Sequence, residues 1–151
     1  TLARAGEALP PGATASLEGC LLPVPEGDIL LLAQGLGLAP LIQLCEALRH
    51  GRRVLALYET PLPLPFRPRP SRFLVEGMPA GVIAAIPLLE DWGIPSRLAS
   101  PDGLAGCHDG RLEDLLADIP RRDGILAMGD AEFLARMGAA CTLSGHIEAG
   151  A

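Results

Sequence analysis

Five consecutive apolar residues, Ile29-Leu-Leu-Leu-Ala33, run through Gln34 into Gly35-Leu-Gly-Leu-Ala-Pro40. A short unbroken apolar run of this kind reads as a strand covered on both faces, because a half-wet strand alternates apolar and polar residues. The glycines then turn the chain, and Pro40 fixes φ in the first helical turn, where no N–H partner is required. A helix through His50 places Leu41, Leu44, Cys45 and Leu48 on one face, with Arg49 and His50 at its negative end and Gly51 at its cap. Arg53–Tyr58 forms the second strand. Strand, glycine turn, helix and strand within about 30 residues make a βαβ unit, which commits the chain to parallel pairing.

The rest of the chain continues that alternation. Residues 1–27 are punctuated by prolines and glycines, with one strand expected over Ala13–Glu18. The prolines at 61, 63, 65, 68 and 70 mark an extended surface loop, followed by a short strand over Arg72–Val75. Ala80–Asp91 reads as a largely buried helix with Pro87 as an internal kink. Arg97–Ser100 is a brief strand leading to the glycine loop Asp102–Gly110. A helix over Arg111–Asp118, a strand over Gly124–Met128, a helix over Ala131–Ala140 and a last strand within Thr142–His146 complete the pattern. The expected fold is α/β: an open, mostly parallel Rossmann-like sheet with helices on both faces.

Composition excludes several chemistries. All 12 basic residues are arginine, and the chain has neither lysine nor asparagine. That removes the Walker A lysine and every lysine Schiff base. A formal charge of −6 argues against a nucleic-acid binder, and five scattered aromatics make no base-stacking platform. The apolar stretch Ile29–Cys45 is interrupted by glutamine, glycine and proline, so no membrane span is expected. Cys20, Cys45, Cys107 and Cys141 are far apart and form no C-x-x-C pair, as expected of reduced thiols in a cytoplasmic protein.

Three blocks taken in order carry a resemblance. They are Gly35-Leu36-Gly37-Leu38-Ala39-Pro40; Asp102-Gly103-Leu104-Ala105-Gly106 through Gly110, then Leu112-Glu-Asp-Leu-Leu116; and Met128-Gly129-Asp130-Ala131-Glu132-Phe133. They resemble the G-x-G-[IL]-[AT]-P, D-G-S-x-G-x-x-G and C-G-P-x-x-M blocks of the ferredoxin–NADP reductase superfamily. Among its branches the electron-transfer subunit of dihydroorotate dehydrogenase B is the most similar. Leu9-Pro-Pro-Gly12 through Leu17-Glu-Gly-Cys-Leu21 is similar to the end of that family's flavin barrel, so the resemblance spans about residues 9–140. It implies that 1–27 is a remnant or terminal strand of a flavin-type barrel and that 28–151 is a nucleotide-binding domain.

The implied ligand is NAD or NADP, in a site formed by Gly35, Gly37, Leu38, Ala39, Pro40, Asp102, Gly103, Gly106, Met128, Gly129 and Asp130. Glu59, about 20 residues past the glycine turn, is a candidate for a ribose diol. FAD would come only from a missing domain or another chain, because 27 residues cannot hold a six-stranded barrel. The implied partners are the dinucleotide and a flavin or iron–sulfur protein, and a homodimer is compatible with the pattern.

The departures define an alternative. Met128 stands where the family has cysteine, Asp130 where it has proline and Leu104 where it has serine. A thioether neither ionises nor donates a proton. The iron–sulfur cysteines are absent as well, since four thiolates at close spacing are needed. The second reading is therefore a degenerate homologue acting as a non-catalytic interaction or regulatory subunit. A nucleotide-sensing module is a third.

Lesser candidates are an arginine clamp (Arg67, Arg69, Arg72), a zinc set (Cys107, His108, Asp109, Cys141, His146) and a Ser144–His146 nucleophile pair. Adjacent Cys-His is awkward for one tetrahedral ion, no G-x-S-x-G elbow supports the serine, and no metal is expected. Catalytic residues are not assigned from sequence.

Overall fold

The strand Ile29–Gln34 (β1) lies inside the sheet, with Val54–Glu59 (β2) on one side and Gly124–Met128 (β7) on the other. A computed structural model describes residues 24–143, and the expected Ala13–Glu18 strand lies outside them. β1 pairs in parallel with both neighbours, Ile29 opposite Val54 on one side and Gly124 on the other. Ser96–Ser100 (β5) and the two-residue His108–Asp109 (β6) extend the sheet past β2, giving the order β6-β5-β2-β1-β7 with every pairing parallel.

Both faces are covered, as the apolar runs require. Ile29, Leu31, Ala33, Val54, Ala56 and Tyr58 pack against Leu38–Leu48 (α1) and Pro87–Asp91 (α2). The alternate residues Leu30, Leu32, Leu55 and Leu57 meet Glu113–Leu116 (α3) and Ala131–Leu143 (α4). Side chains alternate between faces along a strand, so one run of leucines feeds two cores. The α/β, Rossmann-like expectation holds. Among the described residues, no helix is long and apolar enough to cross a membrane.

The structure corrects three element boundaries. The helix expected over Ala80–Asp91 begins only at Pro87. Ala84–Ala85 (β4) instead pairs antiparallel with Arg69–Pro70 (β3). The reason is local: Pro87 lacks an N–H and occupies the first helical position, while Ile86 before it is extended at φ −76° and ψ 117°. The Ile86 N–H donates to Ser96 Oγ at 2.9 Å.

Arg72–Val75 is not a strand. Side chains bind its backbone instead: the Arg72 N–H donates to buried Glu90, and the Phe73 carbonyl accepts from buried Arg97. The strand expected within Thr142–His146 is also displaced, since α4 runs through Leu143. Phe133, Met137 and Cys141, one turn apart, keep that helix docked. Residues 144–146 lie outside the described part.

Glu59 ties this second face together. It is buried, its Oε2 accepts from the Leu112 N–H at 2.8 Å and its Oε1 from Arg136 at 2.9 Å. Arg136 also donates to both oxygens of Glu113 at 2.6 Å. One arginine on α4 thus holds the end of β2 and the start of α3.

Removing one partner of a buried pair leaves the other charge uncompensated. Arg136→Met should therefore lower stability in urea unfolding by about 3 kcal/mol. Glu59→Gln should lose less, because its amide oxygen still accepts from Leu112.

Candidate functional site

The chain leaves β1 toward β2, β5 and β6, then returns to place β7 on β1's other side. In open parallel sheets such a reversal opens a crevice at the carboxyl ends of the strands. Here it is a half-open cleft of about 770 Å³. Gln34, Gly35, Leu36, Gly37 and Pro40 form one wall, and Met128, Gly129 and Asp130 form the other. Two of the three sequence blocks, far apart in the chain, therefore share one site.

The first wall is a single turn of 3₁₀ helix over Gly35–Gly37 that runs into α1. Its two glycines do different work. Gly35 takes φ +52°, and a Cβ there would meet nothing within 4 Å. A Cβ on Gly37 would collide with the Met128 carbonyl oxygen. Gly37, which the resemblance places in the nucleotide site, is thus required by the approach of the β1 and β7 turns.

Tyr58, buried at the end of β2, donates its hydroxyl to the Gly35 carbonyl at 3.0 Å. Burial raises the pKa of that phenol, so it remains a donor at neutral pH. Sequence reasoning missed Tyr58. The available signal was a tyrosine closing a buried strand, whose hydroxyl must find a partner.

The two helix N-termini at the cleft differ. No side chain caps α1, whose N-cap is Gly37. α4 is capped by Asp130, whose Oδ1 accepts from the Phe133 N–H at 2.8 Å. α1 continues the Gly35–Gly37 turn, so the Leu38 N–H is spent on the Gly35 carbonyl and Pro40 has none. What this wall presents is the turn itself and positive helix potential, and the opposite wall carries a carboxylate. Leu38 packs toward the core and Ala39 is exposed, both in that first turn. Leu36, also missed from sequence, projects from the rim at 75% exposure.

The other predicted residues lie apart from this cleft. The Asp102 carboxylate accepts from the Leu62 N–H at 2.7 Å, which ties the glycine loop to the proline segment. Gly103 lies within that loop, and the Gly106 carbonyl accepts from Ile83 at 2.9 Å and Ala84 at 2.7 Å. Glu59 points to the α3–α4 face with both oxygens engaged, as described above.

Arg69 pairs with Asp91, and Arg72 lies 3.9 Å from Glu90, which dissolves the proposed clamp. Cys107 and Cys141 belong to cores on opposite faces of the sheet, and His108 lies 3.3 Å from Asp114. Among the described residues, no group of three or more histidine, cysteine or acidic side chains could hold a metal ion. Asp130 is the single ionisable side chain of the cleft lining, so the lining offers binding and orientation, with no nucleophile–base pair.

Comparison of the chain with protein-family models, curated proteins and solved structures gives no match.

The glycines should separate by substitution. Gly35→Ala should fold at a cost of about 1–2 kcal/mol for the left-handed conformation. Gly37→Ala should cost more, because the colliding atom is backbone, and thermal unfolding of both variants would show the ranking.

A second test concerns Cys45, on the buried face of α1, whose pKa burial pushes up to about 12. A raised thiol pKa contributes stability that is fully present below the unfolded value near 8.5 and lost as pH rises toward the folded value. Stability should be flat with respect to Cys45 up to about pH 8, then fall by about 2 kcal/mol at pH 10. Cys45→Ala should remove that component from the pH profile, measured against the wild type by urea unfolding.

Proposed function

We propose that this chain is the NAD(P)-binding domain of a ferredoxin-reductase-like electron-transfer oxidoreductase. The observation that carries this reading is the cleft at the strand reversal, where the uncapped start of α1 stands beside open space at Gly35. Phosphate favours such a helix start because unpaired N–H groups and the helix dipole both point at it. The groups present fit a dinucleotide: the Gly35–Gly37 turn and the positive start of α1 for the pyrophosphate, Gly35 for close approach, and Leu36 and Met128 as apolar surface for a flat ring. When bound, a nicotinamide supplies hydride chemistry, and the protein supplies position and electrostatics.

The chain's own contributions are limited and specific. Tyr58 holds the Gly35 carbonyl, which fixes the turn that presents the amides. Met128 sets an apolar wall without a proton to give. Completing electron transfer would call on a flavin carried by a further domain or a partner chain. Buried cysteine thiols suit a reducing, cytoplasmic compartment.

The cleft itself favours a second reading, a non-catalytic interaction or regulatory homologue. Asp130 places a negative charge opposite the helix start, and the lining offers no arginine to a phosphate.

Calorimetry with NADH, NADPH and ADP decides between them. Binding of at least one supports the nucleotide reading, and silence for all three leaves the non-catalytic homologue. Asp130→Asn should keep the α4 cap, because asparagine caps as well as aspartate, and should tighten nucleotide binding several-fold by removing the like charge.

A further inference from the structure

At the other end of the sheet, where β2 and β5 begin, a second concavity of about 440 Å³ opens. Four of the chain's 12 arginines line it: Arg49 at the end of α1, Arg52 and Arg53 in the turn to β2, and Arg122 in the turn before β7. Such convergence is unexpected in a chain of net charge −6. Asp28 pairs with Arg53 at 2.8 Å and lies 3.7 Å from Arg122, and Glu76 is the single carboxylate in the lining. Four guanidinium groups meet Glu76 in the lining, Asp28 beside it and Asp123, which accepts from the Asp28 N–H at 2.8 Å, so the cavity keeps a net positive charge.

The donors are also under-used. Arg49 makes no ion pair among the described residues, and its guanidinium sits over the Trp92 ring, 4.9 Å from the centroid. The Nε atoms of Arg49 and Arg122, like those of Arg97 and Arg136 outside the cavity, are sealed from solvent with no acceptor among the described residues. Arg52 donates one N–H to the Pro25 carbonyl at 2.7 Å and has others to offer. The terminal guanidinium N–H groups, not the sealed Nε atoms, are the donors that an anionic oxygen in the cavity would meet. Beside the arginines, Ile94 and Pro95 supply apolar wall, and Leu74 stands fully exposed.

We propose that this cavity is a second ligand site, separate from the cleft, that binds a small phosphate monoester. A dianionic phosphate suits that net positive charge, and planar guanidinium forks grip its oxygens two at a time. Leu74 and Ile94 face the carbon portion of the ligand. The volume falls within the range of small-molecule sites, at about 300–1,000 Å³. The site lies at the amino ends of the strands, so its occupancy is independent of whether a nucleotide enters the cleft.

The test is titration of the full chain with glycerol phosphate, with glycerol as the uncharged control, followed by calorimetry and backbone-amide NMR. Glycerol phosphate should bind and glycerol should not, with shifts centred on Arg52, Arg53 and Gly93. Arg49→Gln should weaken binding about tenfold, the scale of one charge-assisted hydrogen bond. Arg49→Gln with Arg52→Gln should abolish it while the circular dichroism of the fold is kept, and Asp130→Asn in the cleft should leave it unchanged. Undiminished binding in the double variant, shifts centred on Gly35 and Met128, or no binding at millimolar ligand would each overturn the proposal.

Discussion

Everything in this molecule is arranged around the burial of β1. Its backbone pairs in parallel on both sides, and Ile29 to Ala33 have no exposure at all. A strand in that position cannot leave either face to water, so α1 and α2 must cover one side and α3 and α4 the other. It cannot sit at an edge either, so one neighbour must come from later in the chain. That neighbour is β7, and its arrival on the far side of β1 creates the reversal at which the cleft opens. One apolar pentapeptide therefore dictates both the layering and the place where a ligand can enter.

Charge is organised by a single side-chain type. With arginine as the chain's only strong cation, the long-range charge ties rest on guanidinium groups, each of which can serve several acceptors at once. Arg136 bridges Glu59 and Glu113, and Arg97 reaches the carbonyls of Ser96 and Phe73. The terminal nitrogens of these two forks are matched to acceptors, while the Nε atoms of Arg49, Arg97, Arg122 and Arg136 alike have none among the described residues. Position separates the two groups: Arg97 and Arg136 tie buried elements together, while Arg49, Arg52, Arg53 and Arg122 line the second cavity.

Much of the architecture was legible from periodicity and punctuation. The strands at 29–33, 53–58 and 124–128 were readable because each is mainly a short apolar run bounded by turn residues, and 97–100 because it lies between turn residues in the alternating pattern. The segment 80–91 was not, because its apolar residues fit a helix and a buried strand equally well, and Pro87 fits a kink or a first helical position. Only the pairing of Ala84–Ala85 with Arg69–Pro70 removes the ambiguity. Half of the candidate site was readable in the same way. The Gly35–Pro40 turn and the Met128–Asp130 turn follow strand ends, where crevices form, whereas Asp102 and Glu59 carried the right chemistry at plausible spacings but are engaged by backbone and arginine donors.

The sequence by itself determined that β1 is buried on both faces, that a tight turn follows it, and that the sheet is parallel, because these are consequences of local pattern and backbone sterics. Tertiary structure alone decided what each polar residue does. Gly37 is small because the Met128 carbonyl approaches it, Tyr58 keeps its hydroxyl to hold Gly35, and Glu59 serves α3 and α4. It also decided that Arg49, Arg52, Arg53 and Arg122 share one cavity. A polar side chain's role depends on partners remote in sequence, and those are chosen only when the strands are put in order.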